Sequence, residues 1–193
     1  MIFRNKKANL AEGLAKYEKE PPGYKKKTRT VPETAPRYVY DKEENCYRNT
    51  ETRSSNTARL MCVGDLMCEE KMYKAYNFDD KFLPYGIFYY VKKVFAEADF
   101  VIGNLETTIC EEAPYTGEEY KINGKYHCNA PASYLDILKY AGFDMFALSN
   151  NHNLDCGALG IGETIEEVEK RKFLHTGLYT DPNEKDRYVV VNI

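Results

Sequence analysis

Short apolar runs recur along the later part of this chain, each closed by a polar cluster and followed by helical spacing. The runs are Arg59-Leu60-Met61-Cys62-Val63, Asp99-Phe100-Val101-Ile102 and Phe143-Asp144-Met145-Phe146-Ala147-Leu148. Runs this short, apolar on successive positions, predict buried parallel strands. Helical patterns lie between and after them. Gly86 to Ala98 places Ile87, Val91, Val94 and Phe95 on one face. Pro131 to Ala141 carries Leu135, Ile137 and Leu138, with a proline in its first turn and Gly142 as its stop. Gly160 to Lys172 reads as a further helix, Glu69 to Tyr76 as a short one, Pro114 to Lys125 as a polar loop, and Tyr188 to Ile193 as a last strand. Strands alternating with helices predict a parallel α/β sheet with right-handed crossovers.

Residues 1–57 follow another pattern. Asn9 to Glu20 places Leu10, Leu14 and Tyr17 at helical spacing, but a helix of that length is marginal alone. Pro21-Pro22-Gly23 ends it, and Lys25-Lys26-Lys27, Pro32, Pro36 and a polar run through Ser54-Ser55-Asn56 follow. This composition predicts a basic, largely disordered extension over 1–57 and a folded domain over 58–193. The charges divide the same way: residues 1–58 hold 13 Lys and Arg against 8 Asp and Glu, the rest 14 against 22. The net charge of -3 points to no nucleic-acid partner, and an acidic body suits metal binding or simple solubility. No stretch approaches the length of a membrane span, and the N-terminus lacks the apolar core of a signal peptide. The sequence as written therefore predicts a cytoplasmic chain with no membrane segment. The cysteines (Cys46, Cys62, Cys68, Cys110, Cys128 and Cys156) form no Cys-x-x-Cys pair and are expected to be reduced.

The chemistry follows the strands. Gly64-Asp65 closes the first run and Gly103-Asn104-Leu105-Glu106 the second. Ser149-Asn150-Asn151-His152-Asn153-Leu154-Asp155-Cys156-Gly157 closes the third. In open α/β sheets ligands bind outside the carboxyl ends of the strands. Neighbouring strands lie about 4.8 Å apart, so these loops can bring Asp65, Asn104, Glu106, Asn150, Asn151, His152 and Asp155 to one point. Taken singly, each is explained as a turn or cap residue; their coincidence at successive strand ends predicts a site. Carboxylate and amide oxygens with a neutral imidazole suit Mn, Fe or Zn, as one or two divalent ions. A bound ion lowers the pKa of its water, and His152 is placed to stabilise charge or give a proton to a leaving oxygen. His127 and His175 lie in other segments and read as structural or solvent-exposed; Cys156 reads as a buried thiol beside the site.

Val63-Gly64-Asp65-Leu66-Met67, Ala98 through Thr107, Ala141-Gly142-Phe143-Asp144 leading into Ser149 through Gly157, and Glu163-Thr164 together resemble the capsule-synthesis protein CapA family of poly-γ-glutamate biosynthesis. That family lies within the calcineurin-like metallophosphoesterase superfamily. The resemblance covers roughly residues 58–193, with its motifs in order. It implies a four-layer α/β/β/α sandwich, of which this chain supplies the parallel-sheet core, the C-terminal half missing. It implies a divalent metal held by Asp65, by Asn104 or Glu106 where the superfamily usually has a metal-bridging Asp, and by Asn151, with His152 as the catalytic histidine. Met67 stands where the phosphoesterases usually carry a histidine. The histidine ligands of the second half, and the family's usual membrane anchor or export signal, are not in this sequence. A phosphoesterase-like hydrolase is implied, weak or inactive in a chain of this length, with the poly-γ-glutamate synthesis machinery as partner. The rivals are a non-catalytic accessory module and a general phosphoesterase unrelated to capsule.

Overall fold

A computed structural model of the protein describes residues 36–50, 57–69, 71–72, 77–78, 81–82, 85–110, 121–122, 125–126, 128–184 and 188–193. A boundary after Ala35 sets off the unit Pro36–Ile193, to which all of these belong. The predicted helix Asn9–Glu20, the run 51–56, His127 and most of the segments Glu69–Tyr76 and Pro114–Lys125 lie outside the described residues.

In chain order the strands are β1 (Tyr38–Asp41), β2 (Cys46–Asn49), β3 (Leu60–Asp65), β4 (Asn77–Phe78), β5 (Lys81–Phe82), β6 (Phe100–Asn104) and β7 (Thr108–Ile109). They continue with β8 (Lys121–Ile122), β9 (Lys125–Tyr126), β10 (Asn129–Ala130), β11 (Met145–Ala147), β12 (Leu174–Thr176) and β13 (Val191–Asn192). The described helices are α1 (Val91–Phe95), α2 (Ser133–Ala141) and α3 (Gly157–Lys170).

The main sheet has the order β12-β11-β6-β3, and every neighbouring pair is parallel. The expected α/β core is therefore present. Its three predicted strands lie side by side: Leu60 pairs with Phe100, and Met145 with Ile102. After an irregularity in β3, Asp65 comes level with Asn104, which is itself level with Ala147. The carboxyl ends of the three strands thus share one edge.

Alternation along the strands divides the core in two. Val101 and Phe146 face the helices and pack with Leu135, Leu138, Phe143 and Val168. Phe100, Met145 and Leu174 face the other way and pack with Tyr38, Tyr47, Val189 and Val191. Those last residues belong to or adjoin a second, three-stranded sheet of order β1-β2-β13. In it β1 and β2 form an antiparallel hairpin and β13 runs parallel to β2. Helices, sheet and second sheet are three successive layers of one unit.

Three expectations change here. Residues 36–50, assigned by composition to a largely disordered extension, form an ordered hairpin. Tyr38 is 8% exposed and packs edge-on to Phe100 with ring centroids 5.4 Å apart. Its alternating pattern outweighs the polar composition of its surroundings, because one side of the hairpin is buried against the sheet. The last predicted strand is shorter, Val191–Asn192, and joins the second sheet rather than the parallel one. The fourth strand of the main sheet is β12, in a stretch expected to be a connection, so His175 is a strand residue beside Phe146.

Helix boundaries move for local reasons. The pattern over Gly86–Ala98 divides into a 3₁₀ turn, Tyr85–Phe88, and α1. The break falls at Tyr89 and Tyr90, aromatic residues of modest helix propensity whose rings pack on each other with centroids 5.1 Å apart. α2 ends as expected: Gly142 adopts φ 105° and donates its N–H to the carbonyls of Leu138 and Lys139. One glycine of the main sheet is required by space. A Cβ on Gly103 would stand 2.7 Å from Leu66 Cδ1 and 3.0 Å from Phe143 Cε1. Its absence lets the chain after β3 lie close against β6.

Candidate functional site

β3 delivers Asp65 and β6 delivers Asn104, level with each other. Glu106 follows two residues on, past the buried Leu105. β11 leads into the turn that carries Asn150, Asn151, His152 and Asp155, and α3 begins at Gly157, which takes φ 63°. A side chain is disfavoured at that φ, so Gly157 fits the change from turn to helix.

The cluster is joined by hydrogen bonds. Asn104 Nδ2 donates to Asp65 Oδ1 at 2.8 Å and to Glu106 Oε2 at 2.7 Å. Asn150 Nδ2 donates to Asn104 Oδ1 at 3.2 Å and to the Leu105 carbonyl at 2.9 Å. Asn150 Oδ1 accepts from the His152 backbone N–H at 3.0 Å. These bonds run in one direction and fix both amides. Asn150 must point its oxygen at a backbone donor and its nitrogen at a backbone carbonyl. Asn104 must then show its oxygen to Asn150 and its nitrogen to the two carboxylates.

His152 is held on several sides. Its Nδ1 lies 2.7 Å from Asp155 Oδ2, its carbonyl accepts from Thr108 Oγ1 at 2.7 Å, and its Nε2 lies 4.0 Å from Glu106 Oε1. Cys128 N–H donates to the same Asp155 Oδ2. Thr108 and Cys128 belong to or adjoin the short parallel pair β7 and β10, which Thr164 of α3 secures by accepting the Ile109 N–H at 2.9 Å.

Sequence reasoning named Asp65, Asn104, Glu106 and His152, and the fold brings these together. Asn151 is exposed on the turn, while Asn150 makes the inward bonds. Thr108, Cys128 and Thr164 support the cluster, and sequence reasoning gave none of them that role, although Thr164 lies in the Glu163-Thr164 motif. They act through pairing between β7 and β10 that short strands do not announce. His175 lies on the edge strand with Nε2 3.1 Å from Glu169 Oε1, away from this edge cluster. Burial, with the neighbouring Cys110 thiol, pushes the Cys156 thiol up to about 12, so it is no thiolate at neutral pH.

Glu106 carries the clearest electrostatic signature. Burial raises its carboxyl above the usual value, and the negative charge of Asp65 beside it raises it further; His152 and the Asn104 amide act the other way. A carboxyl that holds its proton more tightly folded than unfolded stabilises the fold at acid pH. That contribution is lost as pH rises through the raised value. In the ion-free chain, Glu106→Gln should therefore raise the denaturation midpoint near neutral pH, with the gain vanishing in acid. Urea titrations of both proteins at the two pH values check this; a gain equal at both would contradict the electrostatic cause.

Two carboxylates that repel across a neutral amide are a hard-oxygen donor set, and a cation between them would relieve the strain on Glu106. Carboxylate oxygens of this kind are donors for hard divalent ions in general. Among the described residues no group of three His, Cys, Asp or Glu side chains is placed to hold a metal ion, and the Asn104 nitrogen bonds to both the Asp65 and Glu106 carboxylates.

A family model described as bacterial capsule synthesis protein PGA_cap matches residues 59–193. The chain is 27% identical over 147 residues to the PGA biosynthesis protein CapA of Bacillus subtilis, covering 73% of this chain and 36% of that protein. It is 27% identical over 128 residues to the capsule biosynthesis protein CapA of Bacillus anthracis, covering 65% and 29%. Over 82 residues it is 34% identical to the uncharacterised protein y4sH of Sinorhizobium fredii, covering 42% and 18%. The matched part is therefore well under half the length of each of these relatives. The family match takes in all three strand ends and the turn that carries His152, and the chain belongs to the bacterial capsule synthesis protein PGA_cap family.

Proposed function

We propose that this chain carries the site-bearing part of a CapA-type protein of capsule or poly-γ-glutamate biosynthesis, acting by metal-assisted hydrolysis or transfer at a phosphate ester or related group. The observation that carries the reading is the meeting of Asp65, Asn104, Glu106 and His152 at one edge of a parallel sheet. The printed names of the Bacillus relatives support the capsule setting, and the poly-γ-glutamate synthesis machinery is the partner proposed.

Asp65 and Glu106 would hold a divalent ion such as Mn, Fe or Zn through carboxylate oxygens, with the exposed Asn151 as an amide ligand; Asn104, whose oxygen is turned to Asn150, would hold the two carboxylates in place rather than bind the ion. When bound, such an ion supplies a water of lowered pKa near neutral pH. The chain's own residues do the rest. His152 presents Nε2 on the side of Glu106, where it can hold a proton for a leaving oxygen. Asn150 keeps the His152 backbone and the Asn104 amide in fixed relation. Leu66 and Leu105, next in the chain to Asp65 and Asn104, are both buried.

A second reading, a non-catalytic accessory module, is favoured by one observation: the Asn104 amide already bridges the two carboxylates, as a cation would. Mn titration by calorimetry separates the two, combined with hydrolysis of an aryl phosphodiester. About one ion per chain is expected, lost in Asp65→Ala, with slow turnover, because two-ion hydrolysis needs a second set of ligands. No binding at all would remove the catalytic reading and leave the accessory one. Turnover without any capsule defect on deletion of the gene would favour a general phosphoesterase.

A further inference from the structure

We propose that Asp155 is the positioning residue of this site: it fixes the His152 ring with the proton on Nδ1, so that Nε2 faces Glu106. The inference deepens the reading of His152 as the proton-transfer residue and rests on it for its catalytic meaning: with Nδ1–H fixed, Nε2 can take up a proton and, as imidazolium, give it to a leaving oxygen.

Asp155 sits three residues after His152, on the same turn, with its Oδ2 2.7 Å from Nδ1. The side chains of both are nearly buried, 11% and 12% exposed, so water competes weakly for this bond. The carboxylate is itself anchored from outside the turn, since the Cys128 N–H donates to the same oxygen. That bond ties it to the strand β10 that Cys128 precedes. An oxygen that already accepts from a backbone amide can only accept from the ring, so Nδ1 must donate. Nε2 is then left on the other side of the imidazole, toward Glu106 Oε1 at 4.0 Å. The ring cannot turn over without breaking the Asp155 bond. The backbone cannot follow it, because Asn150 Oδ1 and Thr108 Oγ1 hold the His152 N–H and carbonyl. Histidine is thereby constrained at both its main chain and its remote nitrogen, the arrangement that sets which nitrogen does chemistry.

Position and charge are separable by substitution. Asp155→Asn keeps an oxygen that can accept from both Cys128 N–H and Nδ1, and removes the charge. Asp155→Ala removes the acceptor. The experiment is a two-bond ¹⁵N–¹H correlation spectrum of the full chain labelled at histidine. It is recorded about two units above the usual histidine pKa of about 6.5, where imidazole is neutral. His175, which bonds Glu169 through Nε2, serves as the internal marker of an intact fold.

The wild type and Asp155→Asn are expected to show His152 protonated on Nδ1. Asp155→Ala is expected to shift it toward the Nε2–H form, with the His175 signals unmoved. Nε2–H in the wild type would overturn the proposal, and so would Nδ1–H retained in Asp155→Ala. If Asp155→Ala loses the His175 signals as well, the wild-type and Asp155→Asn spectra still decide the case. Where the wild type turns over an aryl phosphodiester, Asp155→Ala should lower kcat by about 10²-fold with KM little changed, and Asp155→Asn by less. A wild type without turnover would count against the proposed activity alone, since the tautomer is read without it.

Discussion

Asp144→Ala is expected to remove about 3–5 kcal/mol of stability, the largest single loss among the substitutions considered for this chain. Asp144 Oδ1 accepts from Arg37 Nη1 at 2.6 Å, and Oδ2 accepts from the Val101 N–H at 2.9 Å. The side chains are 6% and 13% exposed. Arg37 also donates to the Asp99 carbonyl. One carboxylate thus joins the start of the hairpin, β6 and the approach to β11. Its removal leaves a guanidinium buried without its counter-charge and a backbone N–H without its acceptor. Small domains are stable by only about 5–15 kcal/mol, so the loss takes a large share of the total. Urea denaturation measures it. In the double variant with Arg37→Ala the cost should be well below the sum of the single ones, because the second substitution removes the stranded charge. A loss below about 1 kcal/mol would mean the pair behaves like a surface ion pair, and the hairpin would not be held as described.

The contrast between two adjacent asparagines gives the second large effect. Asn150→Ala is expected to cost about 1–3 kcal/mol, since it leaves the His152 N–H and the Leu105 carbonyl without the partner that Asn150 provides. Asn151→Ala, at an exposed position, should stay within about 0.5 kcal/mol of wild type. If Asn151 is an ion ligand, its variant weakens Mn binding at unchanged stability. Denaturation and Mn titration on the same two proteins separate the roles. Equal stability losses would show that the turn is not built on Asn150.

This pair also shows where the sequence stops being legible. That a polar turn follows β11 is plain from the apolar run before it. Which of two identical neighbours points inward is set by the turn's backbone and by the Leu105 carbonyl just past β6, and no periodicity records that. The three central strands were legible because each is a compact apolar run ended by a glycine or a polar cluster. β12 was not, since Leu174-His175-Thr176 is short and carries a histidine; it is a strand because β11 offers it an edge. Composition misled for residues 36–50, where Lys, Glu and Asn fill the turn while Tyr38 and Cys46 are buried. Asp155 was legible beside His152 on the same turn, but the support from Thr108 and Cys128 depends on pairing between β7 and β10, and so on a contact that the sequence order does not bring close.

The second sheet has a consequence for the order of synthesis. Its hairpin lies early in the described chain, yet its third strand, β13, pairs Val191 with Tyr47 across roughly 140 positions. At a translation rate of about 5–20 residues per second, the hairpin leaves the ribosome roughly 7–30 s before its partner strand exists. Through that interval the β2 edge is open, and until β6 and β11 have followed, the underside of the hairpin has no parallel sheet to cover. A nascent chain stalled between β2 and β11 should therefore be a good substrate for chaperones that bind apolar extended segments, and one released after β13 a poor one.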